Sequence, residues 1–239
     1  LRRNLDTQIL LFNNEIYGLT KGQYSPTSDA GTVSKSTPYG SVDRPFNPVS
    51  VALGADASFV ARTMDRDPQH MKAMMRAAHD HDGTGFLEIY QNCNIFNDGA
   101  FFEFTERETK DERALFLEHG EPMTFANGTR GIRLDTLQPE VIDLEADGWS
   151  VDDCLVHDET SKELATILGR MSWQDDDGDP IPRLDETGTQ LPRPFGVVHR
   201  TERPTYAERV HQQIDTVTAE QGEGDLDALL RSGETWTIE

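Results

Sequence analysis

Between positions 13 and 23 the chain reads Asn13-Asn14-Glu15-Ile16-Tyr17-Gly18-Leu19-Thr20-Lys21-Gly22-Gln23. Two amides, two glycines and one cation stand close together directly after an apolar run, Gln8-Ile9-Leu10-Leu11-Phe12. Amide and peptide oxygens are hard ligands of the kind Mg²⁺ prefers. Glycine lets backbone approach a ligand closely, and a lysine can pair with an acidic group beside it. The set suits a magnesium-bound diphosphate with an acidic substrate next to it. Taken on the residues alone, Asn13 and Asn14 could equally be turn formers, since Asn side chains hydrogen-bond their own backbone two residues on.

Something must hold these residues in place. The apolar run reads as a buried strand over Thr7 to Phe12, and ligands in open α/β sheets sit beyond the carboxyl ends of the strands. The long stretch from Asn13 to about Asn47, rich in Gly, Ser, Thr, Pro and Asp, is then a functional loop. Pro48 to Leu53 is predicted as a short helix with Asn47 as its cap, and Ser58 to Ala61 as a buried strand. Asp67-Pro68 opens a longer helix, with Met71, Met74, Met75 and Ala78 on one face and Asp82-Gly83 after its end. Gly85 to Gln91 is a further strand, which makes a parallel βαβ unit. After residue 105 the pattern changes: a charged helix over Thr105 to Lys110, a hairpin or short strands over Glu121 to Leu134 around Asn127-Gly128, an acidic loop from Trp173 to about Pro194, a strand over Phe195 to Val198, and helices over Thr205–Ala219 and Asp225–Leu230.

Several separate words of the sequence carry a family resemblance. Asn13 to Ser28, Ser36-Thr37-Pro38, Pro45-Phe46-Asn47-Pro48, and Glu88-Ile89-Tyr90-Gln91-Asn92-Cys93-Asn94-Ile95-Phe96-Asn97-Asp98-Gly99 occur in one order. Together they resemble the thiamine diphosphate region of the 2-oxoacid:ferredoxin oxidoreductase β subunits, and most of all the 2-oxoglutarate type. The likeness is strong to about residue 104 and weaker beyond. It implies an α/β fold, a parallel sheet flanked by helices, with residues 1–104 as the C-terminal part of a thiamine diphosphate-binding domain and 105–239 as a smaller mixed extension.

The resemblance also implies roles. Asn14, by its side chain, and Ile16, by its carbonyl, would hold Mg²⁺. Gly18 and Leu19 would lie against thiamine diphosphate, with no side chain acting as a catalytic residue. Lys21, where related pyruvate enzymes usually carry glycine, would meet the distal carboxylate of 2-oxoglutarate. Cys93 would be a ligand of a 4Fe-4S cluster, a group that needs four thiolates. The implied reaction is oxidative decarboxylation of 2-oxoglutarate to succinyl-CoA with electrons passed to ferredoxin, in partnership with an α subunit and coenzyme A. Pyruvate or branched-chain enzymes, and a non-catalytic module that keeps the fold, are the alternatives. The sequence departs from the family pattern in lacking both a Gly-Asp-Gly-Asp motif and further cysteines ahead of the loop. With Leu1 to Asn4 reading as the end of a helix, the sequence is expected to be a fragment that holds neither cofactor tightly alone and is inactive in isolation.

Composition narrows the partners. The chain has 239 residues, 43 of them acidic against 22 basic, for a net charge of −21. Nucleic acid is excluded as a partner by the want of clustered Lys and Arg. Apolar residues make up 36%, and no run is long enough to span a membrane. Two cysteines make no disulfide framework, so a reducing, cytoplasmic setting is expected. The acidic, lysine-poor surface is compatible with a salt-tolerant source or with compositional drift. Cys154 reads as a core residue. His79-Asp80-His81-Asp82 reads as a helix end, and Asp175-Asp176-Asp177-Gly178-Asp179 as a solvated loop without the spacing of a calcium site.

Overall fold

A computed structural model of the chain describes residues 1–146, 148–171, 185, 187–233 and 236. The expected acidic string at 175–179 lies outside the described residues. Among the described residues a five-stranded sheet runs in the order β1-β5-β4-β10-β6, with β1 at Thr7–Asn13, β4 at Phe59–Met64, β5 at Thr84–Tyr90, β6 at Ala114–Phe116 and β10 at Arg193–Arg200. β1, β5 and β4 are parallel, while β10 runs antiparallel to β4 and parallel to β6. Strands from both sides of residue 104 therefore share one sheet.

The predicted βαβ unit is present. β4 leads into α2 (Pro68–His79) and then β5, with Arg62 opposite Glu88 and Met64 opposite Tyr90. Asp67 caps α2 by accepting from the His70 amide, and Pro68 takes the first helical position. Met71, Met74 and Met75 pack against Phe59, Ala61, Leu87, Ile89 and Val197 on one face of the sheet. Residues of the opposite parity, Val60 and Phe86, face the other layer, where α1 (Pro48–Gly54) and α5 (Lys162–Arg170) bury Val49, Ala52, Leu164, Ala165 and Leu168. The alternation follows from the two-residue period of a strand. That layer also receives a small antiparallel sheet of β7 (Thr124–Phe125), β8 (Arg130–Asp135) and β9 (Gln138–Asp143), with the predicted turn at Asn127-Gly128.

Three sequence expectations need correction. β1 is not a buried strand: it is an edge strand with one neighbour, and Ile9, Leu10 and Phe12 are 39%, 42% and 53% exposed. Leu1–Asn4 is a turn, closed by the Asn4 amide on the Leu1 carbonyl, with Asn4 at φ 55°. The expected helix at 105–110 is two single turns, α3 (Phe102–Thr105) and α4 (Lys110–Arg113), separated by residues 106–109. Beyond the body, α6 (Tyr206–Gln221) and α7 (Leu226–Leu230) carry no buried side chain. Among the described residues no helix is long and apolar enough to cross a membrane.

Candidate functional site

The parallel register places Asn13, Tyr90 and Met64 side by side at the carboxyl ends of β1, β5 and β4. The segments that follow β1 and β5 are thereby neighbours, and these hold most of the sequence-predicted site residues. After Asn13 the chain turns through Glu15 (φ 55°) into a small hairpin, β2 (Ile16–Tyr17) and β3 (Gln23–Tyr24). Asn14 is half-buried, and its Oδ1 accepts the Ile16 amide at 3.3 Å. Its own carbonyl accepts from Asn97 Nδ2 at 3.0 Å, which ties the loop after β1 to the Cys93–Asn97 turn after β5.

The tip of the hairpin is Gly18-Leu19-Thr20-Lys21-Gly22. Phe96 covers it from the β5 side, and a Cβ placed on Gly22 (φ 94°) would stand 3.1 Å from the Phe96 ring. Leu19 is 98% exposed, so its side chain projects from the loop with nothing packed on it. Lys21 is exposed, holds φ 68°, and makes no ion pair among the described residues. The structure thus brings Asn14, Ile16, Gly18, Leu19 and Lys21 into one loop and puts Cys93 on the adjacent turn.

Cys93 is half-buried, and its carbonyl accepts the Asn97 amide at 2.9 Å. Cys154 belongs elsewhere, buried where its Sγ fills the space a side chain at Gly131 of β8 would need. Among the described residues no three His, Cys, Asp or Glu side chains gather as a metal set. Cys93 therefore stands without a second cysteine beside it among the described residues. The Asn14 and Ile16 oxygens, by contrast, fit a metal that shares its shell with a diphosphate, because Mg²⁺ takes few protein ligands and fills the rest with phosphate oxygens and water.

Behind the loop lies a polar chain that the sequence reading missed. Arg62 and Glu88 are 1% and 0% exposed and form an ion pair at 2.7 Å. Glu88 also accepts Asn13 Nδ2 at 2.9 Å. Asn13 Oδ1 accepts Thr27 Oγ1 at 2.7 Å and the Glu15 amide at 3.2 Å. Ser28 Oγ donates to the Glu15 carbonyl. On the other side Arg62 donates to the Pro194 carbonyl, and Arg193 donates to Tyr90 Oη at 2.9 Å. The available signal was one charge in each of two otherwise uncharged strands, Phe-Val-Ala-Arg-Thr-Met and Thr-Gly-Phe-Leu-Glu-Ile-Tyr.

The Glu15 carboxyl is pushed up to about 8, first by loss of water around it, then by Asp29 and Glu88, against the pull of Arg193. Near neutral pH it is largely uncharged. One open cavity of about 1020 Å³ lies between α2 and α6, near His81 and Arg200, at the opposite ends of the strands. Another, of about 620 Å³, lies against the hairpin, lined by Tyr17, Gln23, Tyr24 and Arg44 among others.

Comparison with known proteins bears on this loop directly. Residues 1–89 match the family described as thiamine pyrophosphate enzyme, C-terminal TPP binding domain. The whole chain is 42% identical to the 2-oxoglutarate oxidoreductase subunit KorB of Mycobacterium tuberculosis, covering 61% of that protein. Over 103 residues, 43% of the chain, it is 40% identical to the β subunit of 2-oxoacid:ferredoxin oxidoreductase 1 of Aeropyrum pernix, of which it covers 32%. The chain therefore spans about three fifths of one of these relatives and about a third of the other. Its fold matches a solved 2-oxoglutarate:ferredoxin oxidoreductase of Magnetococcus marinus with a TM-score of 0.64 at 21% identity, over 98% of this chain and 60% of that one.

Proposed function

We propose that this chain, 42% identical over its whole length to the 2-oxoglutarate oxidoreductase subunit KorB of Mycobacterium tuberculosis, works as the β subunit of a 2-oxoglutarate:ferredoxin oxidoreductase. The complete enzyme would decarboxylate 2-oxoglutarate oxidatively, form succinyl-CoA and pass electrons to ferredoxin. The Magnetococcus enzyme carries 2-oxoglutarate, coenzyme A and succinyl-CoA, which supports the same substrates here. Bound thiamine diphosphate supplies the electron sink that decarboxylation of a 2-oxoacid needs.

The residues of this chain bind and orient. Asn14, through its side-chain oxygen, and Ile16, through its carbonyl, would hold Mg²⁺ beneath the diphosphate. Gly18 leaves room for close approach, and exposed Leu19 offers an apolar surface to the cofactor. Lys21, unpaired and at the loop tip, would meet the distal carboxylate of the substrate through a charge-assisted contact. Cys93 would give one thiolate of four to a 4Fe-4S cluster. The remaining ligands, and the coenzyme A site, would come from an α subunit and from residues outside this sequence. A cytoplasmic location fits these partners.

The observation that carries this reading is the Asn13–Asn14–Ile16 turn at the carboxyl end of β1, in a domain matched to thiamine pyrophosphate enzymes. Titration calorimetry on the assembled αβ enzyme tests it. Asn14→Ala is expected to weaken Mg²⁺-dependent thiamine diphosphate binding by about 10- to 100-fold, the range for loss of a metal-site partner. Unchanged binding would remove the assignment.

A further inference from the structure

Arg62 and Glu88 face each other on β4 and β5, fully buried and 2.7 Å apart. A pair at this depth is weak evidence for stability, because desolvating two charges offsets most of their attraction. Its value lies in what it holds. Glu88 offers one oxygen to Arg62 Nε and the other to Asn13 Nδ2. A carboxylate only accepts, so Asn13 must turn its NH₂ toward Glu88 and its oxygen away. That oxygen collects Thr27 Oγ1 and the Glu15 amide, which stand at the two ends of the segment from residue 15 to residue 27. The reverse orientation fails at both ends. It would set the amide oxygen against the Glu88 carboxylate and the NH₂ against the Glu15 N–H.

We propose that Glu88 is a positioning residue: by fixing the orientation of the Asn13 amide it clasps the loop shut and holds the Asn14 and Ile16 oxygens in their metal-binding arrangement. This rests on the cofactor reading above. Arg62 acts one step further back, since its guanidinium sets which Glu88 oxygen is left for Asn13. Arg62 and Glu88 are fully buried, so their influence is exerted through the loop.

The test uses the complete αβ enzyme, with thiamine diphosphate and Mg²⁺ as the probes. In Glu88→Gln the single carbonyl oxygen goes to Arg62, its NH₂ opposes the Asn13 NH₂, and the Asn13 amide turns over. The expected result is a rise in the thiamine diphosphate dissociation constant of roughly 10- to 100-fold, with kcat at saturating cofactor within about twofold of the parent. Thr27→Val removes the far contact without touching the charge pair, and is expected to raise the same constant by about threefold to tenfold, in line with one neutral hydrogen bond. Because both variants act through Asn13, their effects in the double variant should combine to less than the product of the two, the coupling expected of residues in one hydrogen-bond network. Wild-type affinity in Thr27→Val, or effects that multiply in the double variant, overturns the proposal, and the Thr27 arm stands even if Glu88→Gln fails to assemble. A parent enzyme that takes up no thiamine diphosphate sinks the cofactor reading itself, and is distinguished from failure of the clasp by that measurement alone.

Discussion

Lys21 carries the choice of substrate in the proposed function, and its backbone makes it separable from its charge. It holds φ 68°, a region that costs an L-residue energy and costs glycine none. Lys21→Ala and Lys21→Gly should both raise KM for 2-oxoglutarate by roughly tenfold relative to 2-oxobutyrate, which has no distal carboxylate. The glycine variant should also be the more stable of the two by about 1 kcal/mol. Equal KM effects on both substrates would remove Lys21 from the site. Glu15 gives a second prediction at this scale. Its folded value near 8 lies above its ordinary 4.5, so its contribution to stability is fully present below pH 4.5 and is lost as pH rises through about 8. In the cofactor-free chain, the melting temperature of Glu15→Gln should therefore gain on that of the parent between pH 5 and pH 9; a constant gap would show that Glu15 does not titrate in that window. That residues 13 to 23 form one loop was legible in sequence because they are contiguous. The clasp was not, since Asn13, Thr27 and Glu88 come together only through strand register, and a lone charge in a strand does not name its partner.

Elements were legible where the signal is local. Asn47 and Asp67 were expected as caps, and each accepts the amide three residues on. The continuous run Ile9-Leu10-Leu11-Phe12 was read as buried because apolar runs are shared by central strands and by edge strands awaiting cover. Sheet order is not local, so nothing in the run marks β1 as an edge. α3 and α4 were blurred into one helix because single turns owe their ends to tertiary contacts, here Phe101 and Phe104 packed with Tyr90. α6 shows the converse case, a helix specified almost wholly by its own residues. Thr205 and Glu208 form a reciprocal capping box, and no side chain of the helix is buried. Thr205→Ala should cost about 1 kcal/mol of helix stability without moving the main unfolding transition. Hydrogen exchange should quicken about fivefold over 206–221, as 1 kcal/mol dictates, and stay unchanged in β5. A matching loss of global melting temperature would mean that α6 is part of the cooperative core.

At the scale of the molecule, composition and fold say different things. The sheet closes over a pattern change near residue 104 because β10, from late in the chain, inserts between β4 and β6. Its apolar centre Phe195-Gly196-Val197-Val198 announced a strand but not a place. Charge, by contrast, was fully legible. With 43 acidic and 22 basic residues, at least 21 acidic groups have no basic counterpart. The Lys162–Asp56 pair is exposed at both partners, at 62% and 58%, and such a pair contributes little. The Arg62–Glu88 pair, buried on both sides, is shielded from salt by its depth. Salt therefore weakens few attractions here and screens a large self-repulsion, whose range falls from about 30 Å at 0.01 M to about 3 Å at 1 M. The melting temperature should rise steadily with KCl across that range at fixed pH, and it should rise less in a variant where exposed acidic residues of α6 and α7 are neutralised. A melting temperature that falls with salt would show that exposed pairs, and not net charge, dominate the electrostatics of this chain.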